Sequence, residues 1–410
     1  MNIPKLRFKE FTDEWQIKKL DKNTYIKARV GWKNLKASEY VSSGIPMIAG
    51  QHIKQGKILW DKVDFITNER YDESPEIQLK NNDIIFSKDG SLGNPAIIKN
   101  MPKKATINGT MMLIRLNYIN DNVSPNYFYQ ICNSQYFKKM VSLIKSGGTV
   151  PHIFQRDIIN FTFPIPKTLE EQEKIANFLT TIDKKITNLE NIITSLENQK
   201  KGLLQQIFSQ KLRFKDKNGN NYPNWEKKKL GDIGSFSRGG NLSKSDLSKK
   251  GTSCILYGEL YTYYNEFATE IKSKTLNTTN LVLSKKYDVL LPLSGETAED
   301  ISTCTCIFFD DIALGSDLLI FRSSFFDGRF MSLLLKYKYK YKIAQIAQGK
   351  SIVHISEKNI KNINIKIPCI EEQQNIADFI LIFTKKLENQ KAQLKHWKQI
   401  KKGLLQQMFI

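Results

Sequence analysis

Cysteine is scarce. Five residues in 410 (Cys132, Cys254, Cys304, Cys306, Cys369) are too few and too scattered for a disulfide scaffold, so a reducing cytoplasm is the expected location. Four histidines (His52, His152, His354, His396) form no HExxH or related cluster. No run of about 18 uncharged apolar residues occurs, which argues against a membrane span. The opening MNIPKLRFKEF lacks an apolar signal core. Acidic residues are the scarcer charge: 41 Asp+Glu stand against 62 Lys+Arg, a net of +21. Such an excess suggests a polyanionic partner, nucleic acid first, although a lysine-rich solvated surface gives the same number. With 40% hydrophobic and 25% charged residues the chain is globular, and its length suits two or three domains.

What is present is a repeat. Residues 1–210 carry a net +9 and residues 211–410 a net +12, so both halves are basic. Lys5-Leu6-Arg7-Phe8-Lys9 recurs as Lys211-Leu212-Arg213-Phe214-Lys215, and each copy is followed by a tryptophan (Trp15, Trp225) and a basic run into leucine. LEEQEKIANF at 169–178 recurs as IEEQQNIADF at 370–379, and QKKGLLQQIF at 199–208 as IKKGLLQQMF at 400–409. Both pairs share an offset of 201, so the tails match without a gap over 40 residues, while the bodies between them diverge.

The tails read as helices with a heptad seam. Ile175, Leu179, Ile182, Ile186, Leu189, Ile193, Leu196, Leu203 and Ile207 form the first, and Ile376, Ile380, Phe383, Leu387, Leu394, Trp397, Leu404 and Met408 the second. Lys200 and Lys401 are equivalent polar breaks. Glu170-Glu171 and Glu371-Glu372 suit the positive end of a helix dipole. Homodimerisation is one use of such a seam. Duplication favours the other, in which the two helices of one chain pack antiparallel.

The bodies mix short β-type runs with helical segments expected at Pro125–Val141 and Asp327–Gln348, which suggests compact α+β domains with a small sheet. Two loop types occur in both. One is Ser87-Lys88-Asp89-Gly90-Ser91 and Ser294-Gly295-Glu296-Thr297; the other is Ser146-Gly147-Gly148-Thr149-Val150-Pro151-His152 and Gly349-Lys350-Ser351-Ile352-Val353-His354. Small residues let backbone amides approach phosphates, and Ser, Lys and His can donate to phosphates or base edges. Gly349-Lys350-Ser351 is no P-loop, because Ala344 stands where its earlier glycine belongs. Asn94-Pro95 continues Ala96-Ile97 and makes a poor amino-methyltransferase signature, and Cys304-x-Cys306 lacks partners at zinc spacing.

Two dissimilar basic bodies, each ending in prolines (Pro164, Pro166; Pro368), a Glu-Glu-Gln helix start and a Gly-Leu-Leu-Gln-Gln helix end, resemble the specificity subunit of a type I restriction-modification system over essentially the whole chain. The resemblance implies an α+β fold: two similar mixed α/β target-recognition domains separated by two long helices packed as an antiparallel coiled coil, with an internal pseudo-twofold repeat. The boundaries would be 1–167 (first recognition domain), 168–210 (central spacer helix), 211–367 (second recognition domain) and 368–410 (C-terminal spacer helix). It implies a targeting subunit that is not an enzyme and has no catalytic residues, metal or cofactor of its own. Each recognition domain would read one half of a bipartite, asymmetric site in double-stranded DNA. The helices would set the spacer and dock two modification (methyltransferase) subunits, which bind S-adenosylmethionine and methylate adenine. Restriction (translocase/nuclease) subunits would complete the complex, with no membrane partner.

By loop analogy the DNA-binding candidates are Ser87, Lys88, Ser91, Ser146, Thr149 and His152 in the first body, and Ser294, Glu296, Thr297, Lys350, Ser351 and His354 in the second. Tyr257, Tyr261, Tyr263 and Tyr264, with Gln51 and His52 near the corresponding place, are secondary candidates. The alternatives are a DNA methyltransferase or nuclease with degenerate motifs, which would bind S-adenosylmethionine alone, and a homodimeric coiled-coil DNA-binding regulator, which light scattering would reveal.

Overall fold

The structure is a computed structural model and describes residues 4–20, 24–29, 35–116, 122–146, 151–349 and 352–409. Two long helices dominate: helix one, Leu169–Phe208, and helix two, Ile370–Gln407. The chain divides into two compact units. Unit one holds residues 1–190 and 392–410; unit two holds residues 191–391. Each unit therefore contains one body, the start of one long helix and the end of the other.

In unit one, strand Gln16–Lys19 pairs antiparallel with Thr162–Ile165, the strand that leads into helix one. A four-stranded sheet combines Tyr25–Lys27, Met111–Arg115, Ile84–Ser87 and Gly93–Ile97, and a three-stranded sheet combines Asp64–Ile66, Ile45–Ile48 and Thr106–Ile107. Unit two repeats the first pairing with Glu226–Lys229 and Asn364–Ile367, and builds two five-stranded sheets. The bodies thus contain more sheet than one small layer. Each expected long helical segment of a body is two helices. Pro125–Asn133 and Gln135–Ser146 break at Ser134, whose hydroxyl donates to Ile131 O (2.7 Å) and accepts from the Tyr136 amide (3.3 Å). Gly328–Tyr337 and Lys340–Gln345 break at Tyr339, a buried residue whose hydroxyl accepts the Lys366 amide (2.8 Å). The Ser134 bonds are local and compete with the helical ladder, whereas the Tyr339 bond anchors the second break to strand Asn364–Ile367.

The repeated words of the sequence are latches between body and helix. Arg7 donates twice to the buried Glu171 carboxylate (2.7 and 2.8 Å), and Arg213 does the same to Glu372 (3.1 and 2.6 Å). Gln172 accepts the Ser124 amide (2.8 Å) and donates to Pro166 O (3.2 Å). Gln373 accepts the Asp327 amide (3.0 Å) and donates to Pro368 O (2.9 Å). Ser124 and Asp327 are N-caps of body helices, so each glutamine ties the long helix to a capped helix start. Phe8 meets Phe178, and Phe214 meets Phe379, edge to face at 5.8 and 5.6 Å. The second glutamate of each pair is an ion-pair acceptor in the interior, beyond any dipole effect at the helix start.

Within each unit the two long helices run antiparallel. In unit one Lys398 pairs with Glu190 (2.7 Å) and Lys401 with Asp183 (2.5 Å); in unit two Lys391 pairs with Glu197 (2.6 Å). The helix ends complete the body cores. Leu405, Met408 and Phe409 pack with Trp15, Tyr127 and Phe163 in unit one, and Leu204, Ile207 and Phe208 with Trp225, Leu230 and Phe330 in unit two. The heptad extrapolation misses here. Leu204 and Leu405 are buried in place of Leu203 and Leu404, because the last turn faces a body as well as the other helix. Thr384 is likewise buried beside a half-buried Phe383. In unit one the Leu6 amide donates to Gln407 O (2.9 Å), the counterpart of Leu212 to Gln206 O (3.1 Å) in unit two.

Candidate functional site

Two carboxylate–arginine clamps fix the start of an inner strand of each body, at the end opposite the loop that follows it. Asp83 accepts Arg115 through both oxygens (2.7 Å each) and the Lys80 amide (2.6 Å). Asp288 accepts Arg322 through both oxygens (2.6 and 2.5 Å) and the Lys285 amide (2.8 Å). Donors of this number replace the hydration that a carboxylate loses on burial. The clamped strands Ile84–Ser87 and Val289–Pro292 end in the first loop type, and the histidine segment lies beside them: the Ile153 amide donates to Lys88 O (3.0 Å) and the Ile355 amide to Leu293 O (3.0 Å). This register makes Asp89 and Ser294 structural equivalents.

The loop histidine is oriented in both units, by different means. In unit one Asp89 bonds His152 Nδ1 and the Lys88 ammonium (2.9 Å to the latter). Burial works to raise the Asp89 carboxyl, and the bonds from Lys88 and His152 outweigh it, holding it below the usual carboxylate range. In unit two Ser294 Oγ donates to Asp317 (2.8 Å) and lies 2.9 Å from His354 Nδ1. A hydroxyl has one proton, and a carboxylate only accepts. The Ser294 proton therefore goes to Asp317, and His354 must donate from Nδ1. In both units the geometry has Nδ1 donate, and the tautomer that donates there leaves Nε2 as an acceptor for an exocyclic amino proton on a base edge. Bond order in unit two runs carboxylate–serine–histidine, so the imidazole does not take the serine proton as a nucleophile's base would. Arg238, Gln348 and Asn359 join Ser294, Asp317 and His354 around a cavity of about 290 Å³.

The other candidates fall into distinct places. Ser87 is buried with its hydroxyl on Met111 Sδ (3.6 Å), so it packs under the loop rather than reaching out from it. Lys88 is half-buried, and Ser91 and Glu296 are exposed. Thr297 is the N-cap of helix Ala298–Ile301, its hydroxyl bonded to Asp300 (2.7 Å). Thr149, Lys350 and Ser351 lie outside the described residues, as does the side chain of Ser146. His52 is a buried structural residue whose Nδ1 accepts the Ala49 amide (2.9 Å), whereas Gln51 is exposed. Among the tyrosines, Tyr264 is buried and accepts the Lys272 amide (3.1 Å), while Tyr263 is exposed with the Lys272 ammonium 5.3 Å from its ring. Cys304 and Cys306 are buried, and burial pushes the Cys304 thiol up to about 12. Sequence reasoning missed Asp89 and Asp317. Asp89 lies inside the Ser87–Ser91 loop, but a carboxylate does not advertise itself as a group facing an anion. Asp317 follows from no local pattern.

Among the described residues no group of His, Cys, Asp and Glu is placed to hold a metal ion, and no helix is long and apolar enough to cross a membrane.

A family profile described as the type I restriction modification DNA specificity domain matches residues 13–198 and 222–396. The chain therefore belongs to that family and carries two copies of its domain, one for each sequence repeat. Among its relatives in Methanocaldococcus jannaschii, the type I restriction enzyme MjaVIII specificity subunit is 25% identical over 213 residues, 51% of this chain and 49% of the relative. The chain thus spans about half the length of that relative. The putative type I restriction enzyme MjaX specificity subunit is 23% identical over 419 residues, 98% of this chain and 95% of the relative. The fold is shared with the type I restriction-modification S subunit from M. genitalium (TM-score 0.65, 16% identity, 100% and 99% of the two chains covered). It is also shared with a chain from a study of assembly and conformational transition of the type I system (TM-score 0.52, 16% identity, 95% and 96% covered).

Proposed function

We propose that this chain directs a type I restriction-modification complex to DNA, each body reading one half of a bipartite, asymmetric double-stranded site. The helices would set the spacer and dock two modification subunits, and restriction subunits would join the full assembly. The observation that carries this reading is the pair of oriented histidines: His152 on Asp89, and His354 on Ser294 and Asp317, at the loop ends of equivalent strands but with unlike surroundings. The shared strand end and backbone bond supply the platform, and the unlike neighbours supply two different readouts, as an asymmetric site requires. Phosphate contacts set register and base-edge contacts specify. Lys88, Ser91 and His152 in one body and Glu296, His354 and Arg238 in the other are the groups assigned to those tasks, with Ser87, Ser294 and Thr297 positioning the loops.

The test maps methylated adenines in a host carrying the assembled system with Asp89→Ala or Ser294→Ala. Each substitution frees one histidine, so each relaxes one half-site and leaves the other half and the spacer intact. Relaxation of both halves by one substitution, or of neither by both, defeats the assignment. Lys88→Ala should flatten the salt dependence of DNA affinity by about one unit if that ammonium meets a phosphate.

A further inference from the structure

The two long helices descend from one repeated unit, so each could in principle pair with a copy of itself. Their ends are nearly identical, and their middles are not. From 183 to 201 helix one carries Asp183, Glu190 and Glu197 against four lysines; from 384 to 402 helix two carries Glu388 against seven. At the offset of 201, Glu190 corresponds to Lys391, Glu197 to Lys398 and Asp183 to Thr384. These are the positions that meet: Glu190 with Lys398, Asp183 with Lys401, and Glu197 with Lys391.

We infer that this charge pattern is a pairing code that makes helix one accept helix two, from its own chain or another, and reject a copy of itself. In the same register, a helix-one pair sets Glu190 against Glu197 twice, and a helix-two pair sets Lys391 against Lys398 twice. Like charges so placed repel. A helix-one pair does gain Asp183 opposite Lys200. It does so by replacing Thr384, whose hydroxyl lies 3.3 Å from the buried Glu266, with a second carboxylate. A helix-two pair leaves Lys401 facing Thr384 instead of Asp183. Each alternative thus brings like charges together, and neither keeps the observed contacts. The surface carries a specificity that the near-identical Glu-Glu-Gln and Gly-Leu-Leu-Gln-Gln ends cannot supply. The inference is independent of what the bodies read.

Three full-length variants test it. Lys391→Glu with Lys398→Glu makes both helices acidic at the code positions, and Glu190→Lys with Glu197→Lys makes both basic. Each double variant should melt about 2–6 °C below the parent at low salt, with the gap shrinking in high salt. Combining all four substitutions reverses the code and should restore the melting temperature. The two double variants, co-produced with different tags, should co-purify as a mixed two-chain species, because each supplies the helix the other needs. A quadruple variant no more stable than the doubles, or doubles that fail to co-purify, overturns the code.

Discussion

Unit one and unit two treat an equivalent lysine in opposite ways. Lys401 in unit one is half-buried and pairs with Asp183 across the two long helices. It borders a cleft of about 740 Å³ that Lys57, Lys99, Lys184 and Lys398 also line. Lys200 in unit two is buried; it pairs with Glu266, contributed by the body, and with Thr384 Oγ1 (2.8 Å). Tyr337 donates to the same carboxylate (2.9 Å), and Lys336 stands near, its ammonium pulled down by burial. The difference teaches where the fold concentrates its electrostatic stakes. Burial works to raise the Glu266 carboxyl, and the charges of Lys200 and Lys336 outweigh it and hold it low. One side chain of unit two thus joins both helices to the body.

The sharpest way to break this comparison is to remove each lysine. Lys200→Met strands a buried carboxylate and should cost about 3–5 kcal/mol, with loss of protection from hydrogen exchange in unit two. Lys401→Met removes a half-exposed pair and should cost about 1 kcal/mol or less. Equal costs would mean that burial does not separate the two sites.

The latches give a second contrast. Glu171 accepts Trp15 Nε1 (3.0 Å) besides Arg7, whereas the buried Trp225 Nε1 has no hydrogen-bond partner among the described residues. Glu171→Ala should therefore destabilise unit one by about 1 kcal/mol more than Glu372→Ala destabilises unit two, measured by denaturant melts followed through unit-specific exchange.

Acid should separate the units as well. Glu266 has a depressed value in the folded chain, so its stabilisation is complete above the ordinary glutamate value of about 4.3 and is lost as pH falls through the depressed one. Asp89 follows the same sign near its loop. Lowering pH below about 4 should weaken the Lys200 network of unit two, and Glu266→Gln should remove that pH dependence.

The smallest effect concerns what the repeats share. Gly202 and Gly403 sit within the long helices with open space where a Cβ would go. Gly202→Ala and Gly403→Ala should each stabilise by up to about 1 kcal/mol, and by similar amounts. A difference in melting temperature between the two would show that the repeated ends are not physically alike.

The long helices, the twofold repeat and the Glu-Glu-Gln motif were legible because they rest on short-range periodicity and on words written twice. Arg7 and Glu171 could be singled out for the same reason, although not as partners. The break at Ser134 was hidden because its local hydroxyl bonds compete with an unbroken apolar pattern, and the one at Tyr339 because the amide that binds its hydroxyl lies 27 positions away. Leu204 and Leu405 displaced their neighbours because a third surface, the body, enters the last turn. By itself, then, the sequence determined the duplication, because its words are written twice, and the helical tails, because their periodicity links residues within a few turns of one another. Tertiary structure alone decided that Asp89 and Asp317 orient the loop histidines and that Glu266 meets Lys200. Asp89 is 63 positions from His152, Ser294 is 23 from Asp317 and 60 from His354, and Glu266 is 66 from Lys200, and only folded strands and helices bring them within bonding distance.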